Sequence, residues 1–504
     1  MATDQTGSPV EALAREGALA QEAARAVPWT MLNYATGKAL SLISTIVLAR
    51  LLVPSDFGLL AVAGLLIGAI SVFTYEGLGS AVVIEQDMER RELSAALGFL
   101  TSVGFGGALL GVLLSPLVGV VFDVKGATGV VAATSAGLAL SGVSSFYYGL
   151  VLRDLRAKVL FVGEIVQGIA ALGVSIGLAV AGAGVWSLVA GNLTGGIVYL
   201  VWVVAASRVH LRPGWDGATV RRFWNSGKGF LAHNGLWWAS ANADNALVAR
   251  FAGTGSLGAY STAYRVSEVP DLAIADAVAQ VSFPSFTRLR SQGLDVTRPY
   301  LRVAGLVAFA ACPLAVLLSA TADPFVHTML GSHWNQAIGP IGLLGIAGAV
   351  LPVTTSQGWL LKSIGRAMTT VRIYGTILVL VIPLLAFAAS ESTLTAVAGV
   401  MLARGVLVLV LYGTSIRTHA GLSLRAQARP LLGVAVGCGV LWLAARGTAV
   451  ALDDAPAAVA LVAASAAGLA VYLLVVRVLD AELVARVRSQ VSVALSKRLA
   501  SPVG

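Results

Sequence analysis

Charge is what this sequence is short of. Asp, Glu, Lys and Arg make up 12% of the 504 residues, apolar residues reach 57%, and mean hydropathy is +0.83. A water-soluble domain carries about 25% charged residues, so the chain is read as an integral membrane protein. Cysteine is almost absent. Cys312 and Cys438 both stand inside apolar runs and read as small buried hydrophobes rather than a disulfide or metal pair. No CxxC or HxxxH spacing occurs, so neither a metal nor another cofactor is expected. A GxxxxGK[ST] phosphate loop is missing, as is any Ser/His/Asp grouping that suggests a hydrolase. The stretch Gly253 to Gly258 does fit GxGxxG, but no strand precedes it, and it reads as a tight connection between helices. The N-terminus carries Asp4, Glu11, Glu16 and Glu22 and lacks the charged and apolar regions of a secretory signal. Long aqueous loops are wanting too: the largest outside connection runs only from Thr321 to Gln336. Chemistry in a soluble domain is thereby excluded, and the chain is not expected to be an enzyme.

What the chain has instead is apolar runs, about 14 of them long enough to cross a bilayer as helices. They fall near 29–51, 58–78, 93–114, 128–150, 160–181, 185–207, 223–250, 257–283, 300–320, 336–356, 369–389, 394–415, 430–446 and 457–476. One stretch is written twice. Val47-Leu48-Ala49-Arg50 with Gly58 returns, at an offset of 200 positions, as Leu247-Val248-Ala249-Arg250 with Gly258. Leu152-Arg153 to Arg156-Ala157 echoes Leu361-Lys362 to Arg366-Ala367 more loosely. Six helices separate the repeated hairpins, so the halves keep the same orientation about an axis along the membrane normal. The expected fold is an all-α polytopic membrane protein of two pseudo-symmetric six-helix lobes, 29–208 and 223–416. A segment 1–28, a linker 209–222, two further helices within 417–476 and a tail 477–504 complete the chain. The spacings Gly64/Gly68, Gly107/Gly111 and Gly173/Gly177 suggest close helix contacts.

Most of the 34 basic residues collect on one side when the helices alternate, which places both termini in the cytoplasm. The net charge of +9 is therefore a topology signal, and nucleic acid is not an expected partner.

Polar groups inside spanning helices need a reason, because a charge at mid-bilayer costs about 2.5–3.5 kcal/mol on insertion scales. The first helix carries Thr30, Asn33, Gly37, Ser41 and Ser44 on one face with Tyr34 and Lys38 at its edge. Ser41 and Ser44 suit a helix seam, whereas Lys38 lies deep enough to face a hydrated cavity. The seventh helix carries His233, Trp237, Ser240 and Asp244 on one face, widened by Asn234, Asn242 and Asn245. Asp244 could take a coupling cation, H+ or Na+, or pair with Arg265 or Lys38. Tyr260, Tyr264, Arg265, Glu268 and Asp271 follow on the eighth helix, where Arg265 and Glu268 are placed to neutralise each other. Arg404, about ten residues from either end of its run, is the most expensive cation. The candidate cavity set is Asn33, Tyr34, Lys38, His233, Trp237, Asn242, Tyr260, Tyr264, Arg265 and Arg404, with Asp244 for ion coupling.

Ala49-Arg50-Leu51-Leu52-Val53-Pro54-Ser55-Asp56-Phe57-Gly58 and Gly77-Leu78-Gly79-Ser80-Ala81 resemble the opening hairpin of bacterial polysaccharide exporters of the Wzx type. Phe283-Pro284-Ser285-Phe286-Thr287-Arg288-Leu289 and Leu330-Gly331-Ser332-His333-Trp334-Asn335-Gln336-Ala337 resemble later landmarks of the same family. The resemblance implies the multidrug/oligosaccharidyl-lipid/polysaccharide flippase superfamily, whose two lobes alternate between inward- and outward-open forms. It implies transport of an undecaprenyl-pyrophosphate-linked oligosaccharide across the bacterial cytoplasmic membrane. Expected partners are that lipid-linked oligosaccharide, membrane lipids, H+ or Na+, and polysaccharide polymerase or assembly proteins. A peptidoglycan-precursor flippase and a multidrug cation antiporter share the plan; a membrane glycosyltransferase or polymerase would want a larger outside loop.

Overall fold

The computed structural model describes residues 36–37, 39–72, 88–154, 156–209, 211–391 and 393–480. Asn33, Tyr34, Lys38, the 1–28 segment, the Gly77–Ala81 motif and the tail beyond Asp480 lie outside the described residues. Among those described, no strand occurs. The helices are α1 Ala39–Leu51, α2 Pro54–Ser71, α3 Arg90–Phe122, α4 Ala127–Arg153, α5 Ala157–Val180, α6 Val185–Ser207 and α7 Gly217–Pro270. They continue as α8 Asp276–Ser291, α9 Thr297–Ala320, α10 Ile338–Ser363, α11 Ala367–Ser390, α12 Leu394–Ala420, α13 Leu424–Ala451 and α14 Ala457–Leu479. Eleven helices among the described residues are long and apolar enough to cross a bilayer. The polar α7 and α8 are not among them. Gly253 breaks α7 with φ 80°, a left-handed conformation that glycine adopts freely, so the GxGxxG stretch is a one-residue hinge between two helices.

The chain divides into two compact units. The first comprises 1–41, 66–116 and 128–235. Its apolar centre is built by Leu97 and Leu100 of α3, Phe146 and Leu150 of α4, Leu160 of α5, Val203 of α6 and Phe223 of α7. α3 and α4 cross through Gly104 and Gly142, where a Cβ on Gly104 would stand 2.9 Å from the Gly142 Cα. α5 and α6 are pinned by Trp202, whose indole N–H donates to the Val159 carbonyl at 2.9 Å. Asp216 caps α7, accepting from the Thr219 hydroxyl at 2.6 Å and its backbone N–H at 3.0 Å. Those two bonds hold the Asp216 carboxyl below its ordinary range, with Arg91 and Arg222 adding to the effect.

The second unit comprises 42–65, 117–127 and 236–504. Here the two copies of the repeated hairpin meet. A Cβ placed on Gly58 would lie 2.6 Å from the carbonyl carbon of Thr254, and one on Gly258 would lie 2.7 Å from that of Pro54. Positions 54 and 58 thus face 258 and 254, a local two-fold relation between the copies, main chain against main chain. Arg50 leaves the end of α1 and donates to the carbonyls of His327, Thr328 and Met329 (3.1 Å to His327 and to Met329). Trp334 is fully buried, donates to the Ala49 carbonyl at 2.9 Å, and meets the Phe57 ring edge-on at 5.1 Å. Two of the sequence landmarks are therefore a single packed object. Trp334→Ala removes that ring and its hydrogen bond, and is expected to destabilise the protein by about 3–5 kcal/mol, the range for large aromatic truncation in a core. A thermal-unfolding midpoint unchanged from wild type would refute that weight.

Elsewhere in this unit, Ser319 of α9 donates to the Gly342 carbonyl of α10 at 2.6 Å. Tyr472 of α14 reaches the Phe309 carbonyl of α9 at 2.9 Å, over a core of Cys312, Val434, Cys438 and Leu441. Both cysteines are free and buried, as expected. The expected glycine contacts need correction. Gly111 does approach a neighbour, with a Cβ there falling 2.9 Å from the Ser135 Cβ of α4. Gly64, Gly173 and Gly177 have open space around their missing side chains, while Gly104, Gly191, Gly345 and Gly437 make other close approaches. A four-residue spacing puts glycines on one face of a helix, but it does not say which face meets a neighbour.

Candidate functional site

The polar residues of α7 and α12 come together inside the second unit. Asp244 is 1% exposed and accepts a 2.7 Å hydrogen bond from the Tyr260 hydroxyl, which lies beyond the Gly253 hinge. The hinge folds the two parts of α7 back so that residues 16 apart in sequence can touch. The Tyr264 ring lies 6.4 Å from that of Tyr260. From the middle of α12, Arg404 donates through Nη2 to the Ser240 hydroxyl at 3.2 Å, one turn before Asp244 on α7. Its charge also acts on the Asp244 carboxyl. Arg404 Nε and Ser267 Oγ are buried with no hydrogen-bond partner among the described residues. Both residues line a cavity of about 30 Å3 with Tyr264, Glu268, Gly348 and Met401. That is the size that takes a water molecule or two, with polar groups converging on it.

Of the sequence candidates, Tyr260, Tyr264, Asp244 and Arg404 thus form one cluster. Asp244 accepts from the Tyr260 hydroxyl and, at 3.4 Å, from the Asn245 side-chain amide, and it feels the charge of Arg404, not that of Arg265. Arg265 is exposed and lies outside the cluster, and the charge acting on it is that of Glu268, as their three-residue spacing suggests. Trp237 is also exposed, at 48%, and Asn242 donates back to the Trp238 carbonyl at 2.9 Å within its own helix. The backbone of His233 is helical. Ser240, noted on the polar face, gains a specific partner, and Ser267 joins the set without having been singled out. Asp271 is buried as well and accepts from Thr355 at 3.4 Å. No group of three His, Cys, Asp or Glu suited to a metal occurs among the described residues. The arrangement sets a buried guanidinium N–H and a buried carboxyl bonded to tyrosine beside a space sized for water. It offers no nucleophile paired with a base.

A protein family described as polysaccharide biosynthesis protein matches residues 47–339, more than half of the chain. The chain belongs to that family. It is 26% identical over 354 residues to the succinoglycan biosynthesis transport protein ExoT of Rhizobium meliloti (strain 1021), covering 69% of this chain and 70% of that one. It is 26% identical over 303 residues to the teichuronic acid biosynthesis protein TuaB of Bacillus subtilis (strain 168), covering 58% and 61%. With the lipopolysaccharide biosynthesis protein WzxC of Escherichia coli (strain K12) the identity is 23% over 333 residues, covering 65% and 67%. Its fold is similar to that of the lipid II flippase MurJ in an inward closed conformation (TM-score 0.72, 12% identity, 90% of this chain and 99% of that one). A mutant of the MATE transporter VcmN of Vibrio cholerae shares the fold more distantly (TM-score 0.55, 14% identity, 80% and 98%). This member of the polysaccharide biosynthesis family is thus a multi-pass membrane protein with a transporter fold.

Proposed function

We propose that this protein moves an undecaprenyl-pyrophosphate-linked oligosaccharide, a precursor of cell-surface polysaccharide, across the cytoplasmic membrane by alternating access. Residues 29–208 and 223–416 serve as the alternating halves, both termini lie in the cytoplasm, and a polymerase or assembly protein receives the exported unit. Arg404 is the observation that carries this reading. A cation on a membrane helix, hydrogen-bonded among the described residues to a serine hydroxyl and keeping a buried Nε without a hydrogen-bond partner there, supports a role at an anionic head group, with Asp244 sharing its charge in the state described. A pyrophosphate is such a head group, and Tyr264 lines the same small cavity as Arg404. The named pathways of ExoT, TuaB and WzxC favour a polysaccharide precursor over the lipid II of MurJ. The membrane potential pushes an anion outward by about 2.3 kcal/mol per charge per 100 mV.

Purified protein in liposomes, given a fluorescent undecaprenyl-pyrophosphate oligosaccharide, is expected to expose the sugar to an external lectin once an interior-negative potential is imposed. Movement of organic cations instead of the lipid-linked sugar would replace this reading with multidrug antiport. Asp244, buried against Tyr260, is the proposed coupling site for H+ or Na+. Asp244→Asn should remove the dependence of the lectin signal on an ion gradient while leaving the potential-driven component; an undiminished gradient dependence would take Asp244 out of the mechanism.

A further inference from the structure

At the end of the second unit where α9 and α13 begin and α14 finishes lies an open groove of about 1210 Å3. Three arginines rim it: Arg302 on the second turn of α9, and Arg425 and Arg429 on the first two turns of α13. None of the three makes a hydrogen bond or ion pair among the described residues, and all three are exposed. Asp480, which has an interaction partner, is the one carboxylate among the described lining residues. The wall above them is apolar, formed by Leu432, Gly433 and Val436 of α13 and Val478 and Leu479 of α14. Leu432 is 60% exposed and Val478 77%.

Both features run against what the helices alone would favour. A helix N-terminus carries partial positive charge and is stabilised by acidic side chains. Asp295 meets the first N–H of α9 and Ser423 caps α13, but the first turn of each helix holds no acidic residue, and these three arginines cluster at those ends. The rule that basic residues stay in the cytoplasm explains each arginine singly. It does not explain why three of them ring the mouth of one apolar slot. An anion at the mouth offsets the repulsion among the three arginines through charge-assisted bonds.

We propose that this groove holds an anionic glycerophospholipid of the cytoplasmic leaflet, its phosphate on Arg302, Arg425 and Arg429 and an acyl chain along the α13–α14 wall. The length of the wall suits one leaflet. From Arg425 to Val436 the helix rises roughly 16 Å, and half the hydrocarbon core is about 15 Å. Basic pockets between membrane helices on the cytoplasmic side are the kind of site that takes such head groups. Charge also argues against the chain's own end as the occupant. Residues 481–504 carry Arg486, Arg488, Lys497 and Arg498 against Glu482 alone, which the rim repels. The proposal is independent of the cargo, so it stands or falls separately from the flippase reading.

The test is lipid retention by the full-length protein in phosphatidylcholine nanodiscs containing a minor fraction of phosphatidylglycerol, read by native mass spectrometry after release. Wild type is expected to retain phosphatidylglycerol in preference to phosphatidylcholine. Each arginine near an anionic lipid is worth about a fivefold factor in affinity, so R302Q/R425Q/R429Q should lose about a hundredfold. Arg425→Gln alone should lose about fivefold, and serves if the triple variant does not fold. Val436→Trp fills the slot with every charge intact and should also abolish the preference. Equal retention of the two phospholipids by wild type would overturn the proposal, as would an undiminished preference in the arginine variants. Displacement of phosphatidylglycerol by an equal amount of undecaprenyl phosphate would overturn it too, by assigning the groove to the carrier lipid.

Discussion

Valine at Gly58 or at Gly258 is expected to abolish recovery of folded protein. At both positions a Cβ would meet main chain: the Thr254 carbonyl group for Gly58 and the Pro54 carbonyl group for Gly258. A flexible side chain can turn aside, but a helical carbonyl cannot move without breaking its own helix. Ordinary overpacking costs about 1–3 kcal/mol, and a backbone collision across two helices belongs above that range. Total stability of a domain is only about 5–15 kcal/mol, so most of it is consumed at one site. The comparison that decides the cause is Gly64→Ala and Gly255→Ala, where nothing lies within 4 Å of the added carbon. Size-exclusion profiles of fluorescent fusions should show aggregate for the two valine variants and the wild-type profile for the two alanine variants. Equal behaviour of all four would mean that the glycine crossing does not hold the fold together.

Replacing Arg404 by alanine is expected to reduce export at least tenfold while membrane abundance stays at the wild-type level. Among the described residues one hydrogen bond ties Arg404 to the protein, the 3.2 Å contact with Ser240. Asp244, on which its charge acts, keeps the bond from Tyr260 when the arginine is gone. Removing a cation from the middle of α12 also relieves the burial penalty that membrane insertion imposes. Stability should therefore hold or rise while transport falls, and that opposite movement marks a residue kept for its cargo. Arg404→Lys should recover little, because a point charge on a flexible stem does not reproduce the planar fork that grips a diphosphate. Unimpaired export by Arg404→Ala would remove the residue from the transport path. A fall in abundance that matches the fall in export would make it structural.

Much of this could be read from the chain before its structure. Gly58 and Gly258 announced themselves through the 200-residue offset, since a duplicated hairpin leaves a pattern that needs no coordinates. Arg404 and Asp244 stood out because charge in a hydrocarbon-length run is costly and so uncommon. Other features were illegible for a physical reason. Arg50 donates to carbonyls 277 to 279 positions away, and a backbone acceptor has no side-chain identity to betray it. Gly64, Gly173 and Gly177 meet no neighbour although their spacings suggested one, because periodicity fixes a shared face but not its neighbour. Arg265 answers to Glu268 at three residues' distance, and that local pairing leaves it outside the cluster that depth alone suggested. The groove arginines were visible only as counts in a topology tally, which treats each basic residue alone.

The contact of Arg50 and Trp334 with the opposite copy's territory has a bearing on how the proposed halves can part. At the glycine seam main chain rests on main chain. The grip of Arg50 on the 327–329 carbonyls is different, for it ties residue 50 of the first half to a turn in the second through charge-assisted bonds. Any swing that draws the two hairpins apart must first let go of that turn and pull the Trp334 indole from the Ala49 carbonyl, so Arg50 and Trp334 act together as the latch.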